Sequence, residues 1–360
     1  MKTAIITGIR GQDGSYLSEL LLDKGYKVVG LERRSSSPDY SNIEHLFDNN
    51  NFIIEQGDVT DFGSVARVLK QYKPQEFYNL AAQSFVAASW DQAVATCDIN
   101  FTGPCNCMEA IRLVSPETKF FQASTSEVYG DVITSKQNES TPARPRSPYA
   151  AAKYGAESLV KVYRESYNMF ACYARSFNHE SPRRGKQFVT RKITSAIGDM
   201  VKEVTNHYWA EELMNYGTIL PEALVVDQII NPIRLGNIDA KRDWSHAKDI
   251  VRGMWLMLQQ DTPDDYVFAS GTTRSIRDFL SCAFECVGIH DWSSFVFIDP
   301  KLFRPAEVNL LCGDATKARE KLGWEPEISF ESLVQEMMIA DTSALALQNI
   351  GVNNESKRGL

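Results

Sequence analysis

Tyr149-Ala150-Ala151-Ala152-Lys153 sets a phenol and an ammonium four residues apart, a spacing that puts both on one face of a helix. A phenol with an unperturbed pKa of about 10 is a poor base at neutral pH, and a cation one turn away favours its phenolate. Such a pair suits removal of a proton from a hydroxyl whose carbon is losing hydride. The same spacing also arises on ordinary amphipathic helix surfaces. Upstream, Ser124-Thr125-Ser126-Glu127 places hydroxyls and a carboxylate just after the apolar run Phe120–Ala123. Near the amino terminus, Gly8-Ile9-Arg10-Gly11-Gln12-Asp13-Gly14 separates the apolar run Ala4–Ile6 from a segment with leucines at helical spacing.

Glycines between a strand and a helix permit a tight turn and close backbone approach, and the helix's first N–H groups then face a pyrophosphate. Dinucleotide choice is read at the end of the second strand. A carboxylate there accepts the ribose 2′-hydroxyl of NAD, and arginine meets the 2′-phosphate of NADP. The residues are Glu32-Arg33-Arg34-Ser35-Ser36-Ser37. Two guanidiniums beside hydroxyls favour NADP, and Glu32 keeps NAD open. Asp58, after the third strand, can hold an adenine amino group, and Leu80-Ala81-Ala82, after the fourth, passes under the dinucleotide.

The pattern predicts strands at Ala4–Ile6, Lys27–Leu31, Phe52–Ile54, Phe77–Leu80, Phe120–Ala123 and Met169–Ala174. Helices are expected at Ser15–Lys24, Ser64–Tyr72, Asp91–Val114 and Tyr149–Asn168. Strict alternation of strand and helix implies a doubly wound α/β fold, a parallel sheet covered on both faces. Loops at the carboxyl ends of such strands hold ligands, which is where Ser124–Glu127 falls. From about Asn178 the alternation becomes irregular. The expected organisation is a dinucleotide-binding domain over 1–177, a smaller carboxyl-terminal substrate lobe over 178–340 interleaved with the last sheet strands, and a frayed tail over 341–360.

A net charge of −8 over 360 residues argues against nucleic acid or an anionic membrane as a bulk partner. The short clusters Arg33-Arg34 and Arg183-Arg184 suit a small phosphate ligand instead. No apolar run approaches the ~18 residues that span a bilayer, and the amino terminus carries no signal-like segment. Seven cysteines without paired CxxC spacing fit reduced thiols in a cytoplasmic setting. Cys282 and Cys286, four residues apart, are read as core thiols rather than metal ligands, and no metal is expected.

Taken together, the blocks Thr7–Ser37, Ala123–Gly130, Ser147–Lys153, Phe177–Ile193 and Leu235–Asp249 resemble the GDP-mannose 4,6-dehydratase family, of the extended short-chain dehydrogenase/reductase type. The most telling are Asn178-His179-Glu180-Ser181-Pro182-Arg183-Arg184-Gly185 and Gly236-Asn237-Ile238-Asp239-Ala240-Lys241-Arg242-Asp243-Trp244. The resemblance implies a Rossmann domain with a smaller carboxyl-terminal lobe, and a catalytic set of Thr125, Glu127, Tyr149 and Lys153. It implies NADP contacts from Gly8, Ile9, Arg10, Gly11, Gln12, Asp13, Arg33, Arg34, Ser35, Ser36, Asp58, Val59, Leu80, Ala81, Ala82, Gln83, Ser84, His179 and Arg184, besides Tyr149 and Lys153. GDP-mannose is the implied substrate, with Ser84, Asn178 and Lys192 in its site. An arginine-bearing loop that in the family reaches a neighbouring subunit corresponds to Arg184 and implies a homo-oligomer, a tetramer or a dimer.

The chemistry agrees with that set. Tyr149 would remove the 4-hydroxyl proton as hydride leaves C4, helped by Thr125 and Lys153. The C4 ketone acidifies C5–H, so a carboxylate, Glu127, becomes necessary; water leaves C6 and hydride returns there. Reductases and 4-epimerases of the same fold need no such base. Arginine forks suit the two phosphates of a sugar nucleotide, with Arg242 and Arg304 as candidates and Glu307 placed to accept ribose hydroxyls. A dehydratase of another GDP-hexose or GDP-heptose would use the same groups. Two departures from the family stand out. Asp199–Asn231 is an extra stretch, read equally as lid, interface or surface hairpin, and Ala95 stands where a tyrosine would usually meet the cofactor.

Overall fold

Seven strands form one parallel sheet. The computed structural model describes residues 1–132, 134–207, 231–303 and 310–342. In chain order come β1 (Thr3–Thr7), α1 (Gln12–Asp23), β2 (Lys27–Glu32), β3 (Phe52–Gln56), α2 (Phe62–Tyr72) and β4 (Glu76–Asn79). Short helices α3 (Ala88–Asp91) and α4 (Ala93–Cys97) lead through a π-turn at Asp98–Thr102 into α5 (Gly103–Val114). Then follow β5 (Lys119–Ala123), α6 (Pro148–Tyr167), β6 (Ala171–Ser176), β7 (Asn178–Glu180), α7 (Val189–His207), β8 (Ile233–Leu235), β9 (Lys241–His246), α8 (Ala247–Leu258) and β10 (Tyr266–Phe268). The last elements are β11 (Thr273–Ser275), α9 (Ile276–Glu285), β12 (Val296–Ile298), α10 (Thr316–Leu322) and α11 (Phe330–Asp341).

The sheet order is β10-β6-β5-β4-β1-β2-β3, with Ile5 opposite Val29 on one side and opposite Phe77 on the other. The order reverses between β1 and β4, and the crevice beyond the carboxyl ends at that switch is where open α/β sheets bind ligands. Side-chain alternation explains the two covered faces. Ala4 and Ile6 pack in one layer with Leu17, Leu21, Ile250, Met254 and Trp324. Ile5 packs in the other with Val65, Leu69, Met108, Ile111 and Val160. Each fully buried side chain of this kind contributes about 1.5–3 kcal/mol relative to exposure. The two layers on either side of a parallel sheet are the physical basis of the doubly wound α/β fold read from the sequence.

The chain divides into two units. The first comprises Met1–His179, Asp243–Thr273 and Leu310–Glu327; the second comprises the described parts of Glu180–Arg242, Arg274–Asn309 and Ile328–Leu360. Three of the five crossings of the chain between them fall inside short strands, β7, β9 and β11. In the first unit, β10 extends the sheet by pairing with β6, Val267 opposite Arg175. Asp243, fully buried, accepts from Ser270 N at 2.8 Å, Gly271 N at 2.9 Å and Gly313 N at 3.0 Å, and so pins two returning loops. In the second unit, α7, α9 and α11 pack on one another, and β8 pairs in parallel with β12. A Cβ on Gly198 of α7 would lie 2.5 Å from the Asp341 carbonyl of α11, so only glycine permits that approach, and Arg191 ion-pairs with Asp341 beside it.

Two expectations are corrected. Asp91–Val114 is not a single helix: Gln92 leaves helical geometry at φ −125° and ψ 44°, and the π-turn follows. Pro104, without an N–H, cannot bond the carbonyl four residues back, so the helix widens before α5 begins. The sixth strand also starts two residues later than Met169, because Asn168 closes α6 in the left-handed region at φ 52°.

Candidate active site

The glycine loop is shaped by contact. Gly8 has φ +67°, and a Cβ there would sit 2.9 Å from the Leu80 carbonyl carbon at the end of β4. A Cβ on Gly14 would meet the Gly8 carbonyl oxygen at 2.4 Å. Gly11 N donates to Gly8 O at 2.9 Å, turning the chain so that α1 begins at Gln12 with its first N–H groups outward. No side chain caps that terminus. Gln12 and Asp13 tie the loop to His179: Gln12 Nε2 donates to His179 O at 3.1 Å, and Asp13 Oδ2 lies 2.9 Å from His179 Nε2. His179 Nδ1 faces the Phe177 carbonyl at 2.8 Å, so each ring nitrogen faces an acceptor, an arrangement that an imidazolium satisfies.

At the end of β2, Glu32 is buried, whereas Arg33, Arg34, Ser35 and Ser36 are exposed. Tyr40 donates to Glu32 Oε1 at 3.0 Å, Gln56 Nε2 does so at 3.4 Å, and Arg10 Nε faces Oε2 at 3.5 Å. Asp58 accepts from Thr60 N and Thr60 Oγ1 at Oδ1, 2.9 and 2.8 Å away, and Val59 is buried beneath Gly103. Leu80 N and Ala81 N both donate to Thr7 Oγ1 at 3.0 Å. Ala82 is half-buried and Ser84 exposed. Gln83 is held at its backbone by Asn100, whose side chain accepts from Gln83 N and donates to Gln83 O, both at 2.9 Å. Asn100 sits in the π-turn, and no spacing signal in the sequence distinguished it.

Beyond β5, Thr125 caps a short 3₁₀ turn, Ser126–Tyr129, accepting from Glu127 N at 3.2 Å. Ser126, Val128 and Tyr129 are buried, and Glu127 is half-exposed between them. That turn packs on α6. There Ser147 caps the helix through Ala150 N at 3.1 Å, and Pro148 starts it, placing Tyr149 in the first turn. Tyr149 is 8% exposed and Lys153 is 3% exposed, with Lys153 Nζ 6.0 Å from the Tyr149 ring centre. Lys153 Nζ donates to the Ala123 carbonyl at 2.9 Å. Burial pulls the Lys153 ammonium down to about 8, against the opposing pull of the Asp13 and Glu157 carboxylates. Thr125, Glu127, Tyr149 and Lys153 thus share one unit, on two packed elements. The cation and the phenol lie on α6, and the half-exposed carboxylate belongs to the turn packed against it.

Behind this turn lies a pair that sequence reasoning missed. Arg175 NH2 bonds Glu157 Oε2 at 2.8 Å, both side chains buried, and Ser124 Oγ donates to Glu157 Oε1 at 2.5 Å. Burial works against the Arg175 guanidinium, but the hydrogen bonds and charge of Glu157 outweigh it and hold it above its usual range. The i,i+4 relation of Lys153 and Glu157 was legible; the buried partner on β6 was not.

Of the substrate candidates, Asn178 is half-buried at the start of β7. In the second unit, Lys192 Nζ donates to Arg234 O at 2.6 Å, and Arg242 is buried, its NH1 donating to Lys241 O at 2.9 Å. Arg184 pairs with Glu180 at 3.1 Å and lies 3.6 Å over the Phe188 ring. Arg304 and Glu307 fall outside the described residues, as does 208–230 of the extra stretch. Ala95 is exposed on α4. The Cys282 and Cys286 thiols are pushed up by burial to about 11 and about 12, and Cys286 Sγ donates to Cys282 O at 3.3 Å within α9. Among the described residues no group of three or more His, Cys, Asp or Glu could hold a metal, and no helix is long and apolar enough to cross a membrane.

Comparison with solved structures finds this fold repeatedly. A UDP-glucose 4-epimerase from Thermotoga maritima aligns with a TM-score of 0.78 at 22% identity, covering 94% of this chain and 98% of that one. A dTDP-glucose 4,6-dehydratase from Streptomyces venezuelae, with NAD bound, also gives 0.78 at 22%, covering 94% and 96%. These likenesses concern the fold alone, a Rossmann-type parallel sheet with a smaller carboxyl-terminal lobe. Sequence likeness is sharper. A GDP-mannose 4,6-dehydratase from Vibrio cholerae is 43% identical over 94% of this chain and 94% of its own. The GDP-mannose 4,6 dehydratase of Homo sapiens is 42% identical over 95% and 92%. The sequence profile of the GDP-mannose 4,6 dehydratase family matches residues 5–214 and 223–337. With that match spanning both units, the chain belongs to the GDP-mannose 4,6-dehydratase family.

Proposed function

We propose that the protein converts GDP-mannose to GDP-4-keto-6-deoxy-mannose, with NADP as its cofactor. The observation that supports this most directly is the turn at Thr125–Glu127 packed on the helix of Tyr149 and Lys153. A reductase or epimerase needs only the phenol and the ammonium. Here a turn packed on their helix carries a half-exposed carboxylate, and among the described residues no donor bonds its side chain.

The residues fit a dinucleotide. Gly8 and Gly14 let the loop close against the Leu80 and Gly8 backbone where a Cβ would clash, and the uncapped α1 terminus offers N–H groups to a pyrophosphate. NADP is favoured over NAD because Glu32, the carboxylate placed to accept a ribose 2′-hydroxyl, is engaged by Tyr40, Gln56 and Arg10, while Arg33 and Arg34 stand exposed for a phosphate. When bound, the nicotinamide supplies the hydride acceptor for C4 and the hydride donor for C6.

Tyr149 takes the proton of the 4-hydroxyl. Lys153, still largely protonated at neutral pH with its pKa near 8, supports the phenolate by charge. Thr125 Oγ accepts from Glu127 N, which leaves its O–H to donate to the substrate oxygen. Glu127 removes the C5 proton once C4 is a ketone, and water leaves C6. Asn178, Lys192, Arg242, Arg304 and Glu307 are the proposed holders of the nucleotide.

The active form is proposed to be a homo-oligomer, a dimer or a tetramer, in a reducing cytoplasmic compartment. Trp90, Val94, Phe101, Leu113, Tyr154 and Val162 are exposed apolar residues along α3–α6, a surface suited to a second copy of the chain. The deciding experiment incubates purified protein with GDP-mannose and NADP+. A 4-keto-6-deoxy product without net NADPH is expected; steady NADPH accumulation would make the protein an ordinary dehydrogenase.

A further inference from the structure

Three buried side chains at the carboxyl ends of β1, β4 and β5, with Lys153 of α6, form a single run of hydrogen bonds. Leu80 N and Ala81 N donate to Thr7 Oγ1 at 3.0 Å. The Thr7 hydroxyl donates to Asn79 Oδ1 at 2.6 Å, and Asn79 Nδ2 donates to Gln122 Oε1 at 2.7 Å. Gln122 Nε2 donates to the Ala123 carbonyl at 2.8 Å, and the same oxygen accepts Lys153 Nζ at 2.9 Å. Thr7, Asn79 and Gln122 are each no more than 1% exposed, and Lys153 is 3% exposed.

The run has one direction. The two amides accept a hydroxyl or amide proton at the oxygen and donate onward at the nitrogen, and Thr7's lone pairs are already engaged by two backbone N–H groups. Turning either amide round would set donor against donor or oxygen against oxygen in a site that water does not reach. The sheet's packing does not require this polarity, since Phe77, Tyr78, Phe120 and Phe121 build the core from the same two strands. Its two ends identify its use. One end is the strand-to-loop bend that Gly8 contacts, and the other is the ammonium beside Tyr149.

We propose that Asn79 and Gln122 are positioning residues for Lys153, fixing the carbonyl that holds its ammonium relative to the bed of the dinucleotide. The proposal rests on the assignment of Tyr149 and Lys153 as the reacting pair. Gln122 aims the Ala123 carbonyl, Asn79 fixes Gln122, and Thr7 ties both to the Leu80–Ala81 backbone. A lysine set free of that carbonyl supports the Tyr149 phenolate less.

Two variants test this. Gln122→Met keeps the volume and removes both hydrogen bonds. Its kcat is expected to fall about ten-fold, with KM for the sugar nucleotide within about two-fold. The phenolate titration of Tyr149, read by ultraviolet difference against Tyr149→Phe, is expected to move up by about half a pH unit. Gln122→Glu keeps the shape. As a neutral acid it still donates to the Ala123 carbonyl, and once ionised it repels that oxygen and draws the ammonium away. Its activity relative to wild type is therefore expected to fall as pH rises, a signature that a merely structural amide would not produce. A lower melting temperature with unchanged kcat and an unmoved Tyr149 titration in Gln122→Met, or a wild-type pH profile in Gln122→Glu, overturns the proposal. Should Gln122→Met fail to fold, the pH profile of Gln122→Glu decides alone. A wild-type protein that makes no 4-keto product while Gln122→Met still shifts the titration would sink the dehydratase reading and leave the positioning role standing.

Discussion

Tyr40 donates to Glu32 at 3.0 Å, closing off the carboxylate that ends β2. Gln56 and Arg10 also face that carboxylate, at 3.4 and 3.5 Å. Under the proposed NADP assignment, the exposed Arg33 and Arg34 are the groups that would read the 2′-phosphate.

Replacing both arginines, Arg33→Ala with Arg34→Ala, is expected to weaken NADP+ binding ten- to hundred-fold, since a charge-assisted hydrogen bond is worth about 1.5–3 kcal/mol. NAD+ affinity should change little. Fluorescence titration with both cofactors checks this, and equal losses for the two would remove the phosphate role from the pair.

Glu127 emerges half-exposed from a turn whose other residues are buried, so it can be altered without disturbing the core. Glu127→Gln should bind NADP+ as wild type does and lose dehydratase turnover by about 10²–10⁴-fold, the contribution typical of a positioned proton acceptor. Turnover within a few-fold of wild type would show that another group takes the C5 proton.

Lys153 couples stability to pH. Its folded-state pKa, about 8, lies below the unfolded value near 10.5, so between those values the unfolded chain binds the extra proton and folding becomes easier as pH rises. Below pH 8 the buried ammonium costs about 3 kcal/mol, the full displacement expressed as free energy. Lys153→Met should therefore be inactive yet more stable than wild type at pH 7, with a gain that shrinks through pH 8 to 10.5. Urea unfolding of both proteins at pH 7 and pH 10 measures the difference, and a methionine variant less stable at pH 7 would contradict it.

Periodicity made the doubly wound sheet legible, because Ala4–Ile6, Lys27–Leu31 and Phe120–Ala123 are apolar runs of strand length between helical segments. Tyr149 and Lys153 were legible because one helix carries both. Side-chain direction was not. Nothing in Glu32-Arg33-Arg34 announces that the acid turns inward, since that depends on Tyr40 and Gln56, residues from other segments. Asn79 and Gln122 read as ordinary strand ends, and only the pairing of β4 with β5 sets Asn79 opposite Gln122. The break at Gln92 and the π-turn were hidden because the apolar spacing of Asp91–Val114 runs on through a proline whose effect falls one turn earlier.

Glu157 and Arg175 bring α6 and β6 together behind the Ser124–Glu127 loop, and Ser124 Oγ completes the Glu157 carboxylate at 2.5 Å. Both charges are buried, so deleting one strands the other. Glu157→Gln is expected to destabilise the fold by about 3–5 kcal/mol, read as a drop in the urea midpoint at an unchanged slope. Replacing both, Glu157→Met with Arg175→Met, removes the uncompensated charge and should recover most of that stability, because an apolar pair of similar volume often matches a buried ion pair. Recovered stability should not bring full activity, since Ser124 then lacks its acceptor and the loop carrying Thr125 and Glu127 loses its anchor. A double variant with wild-type kcat would show that the pair serves folding alone.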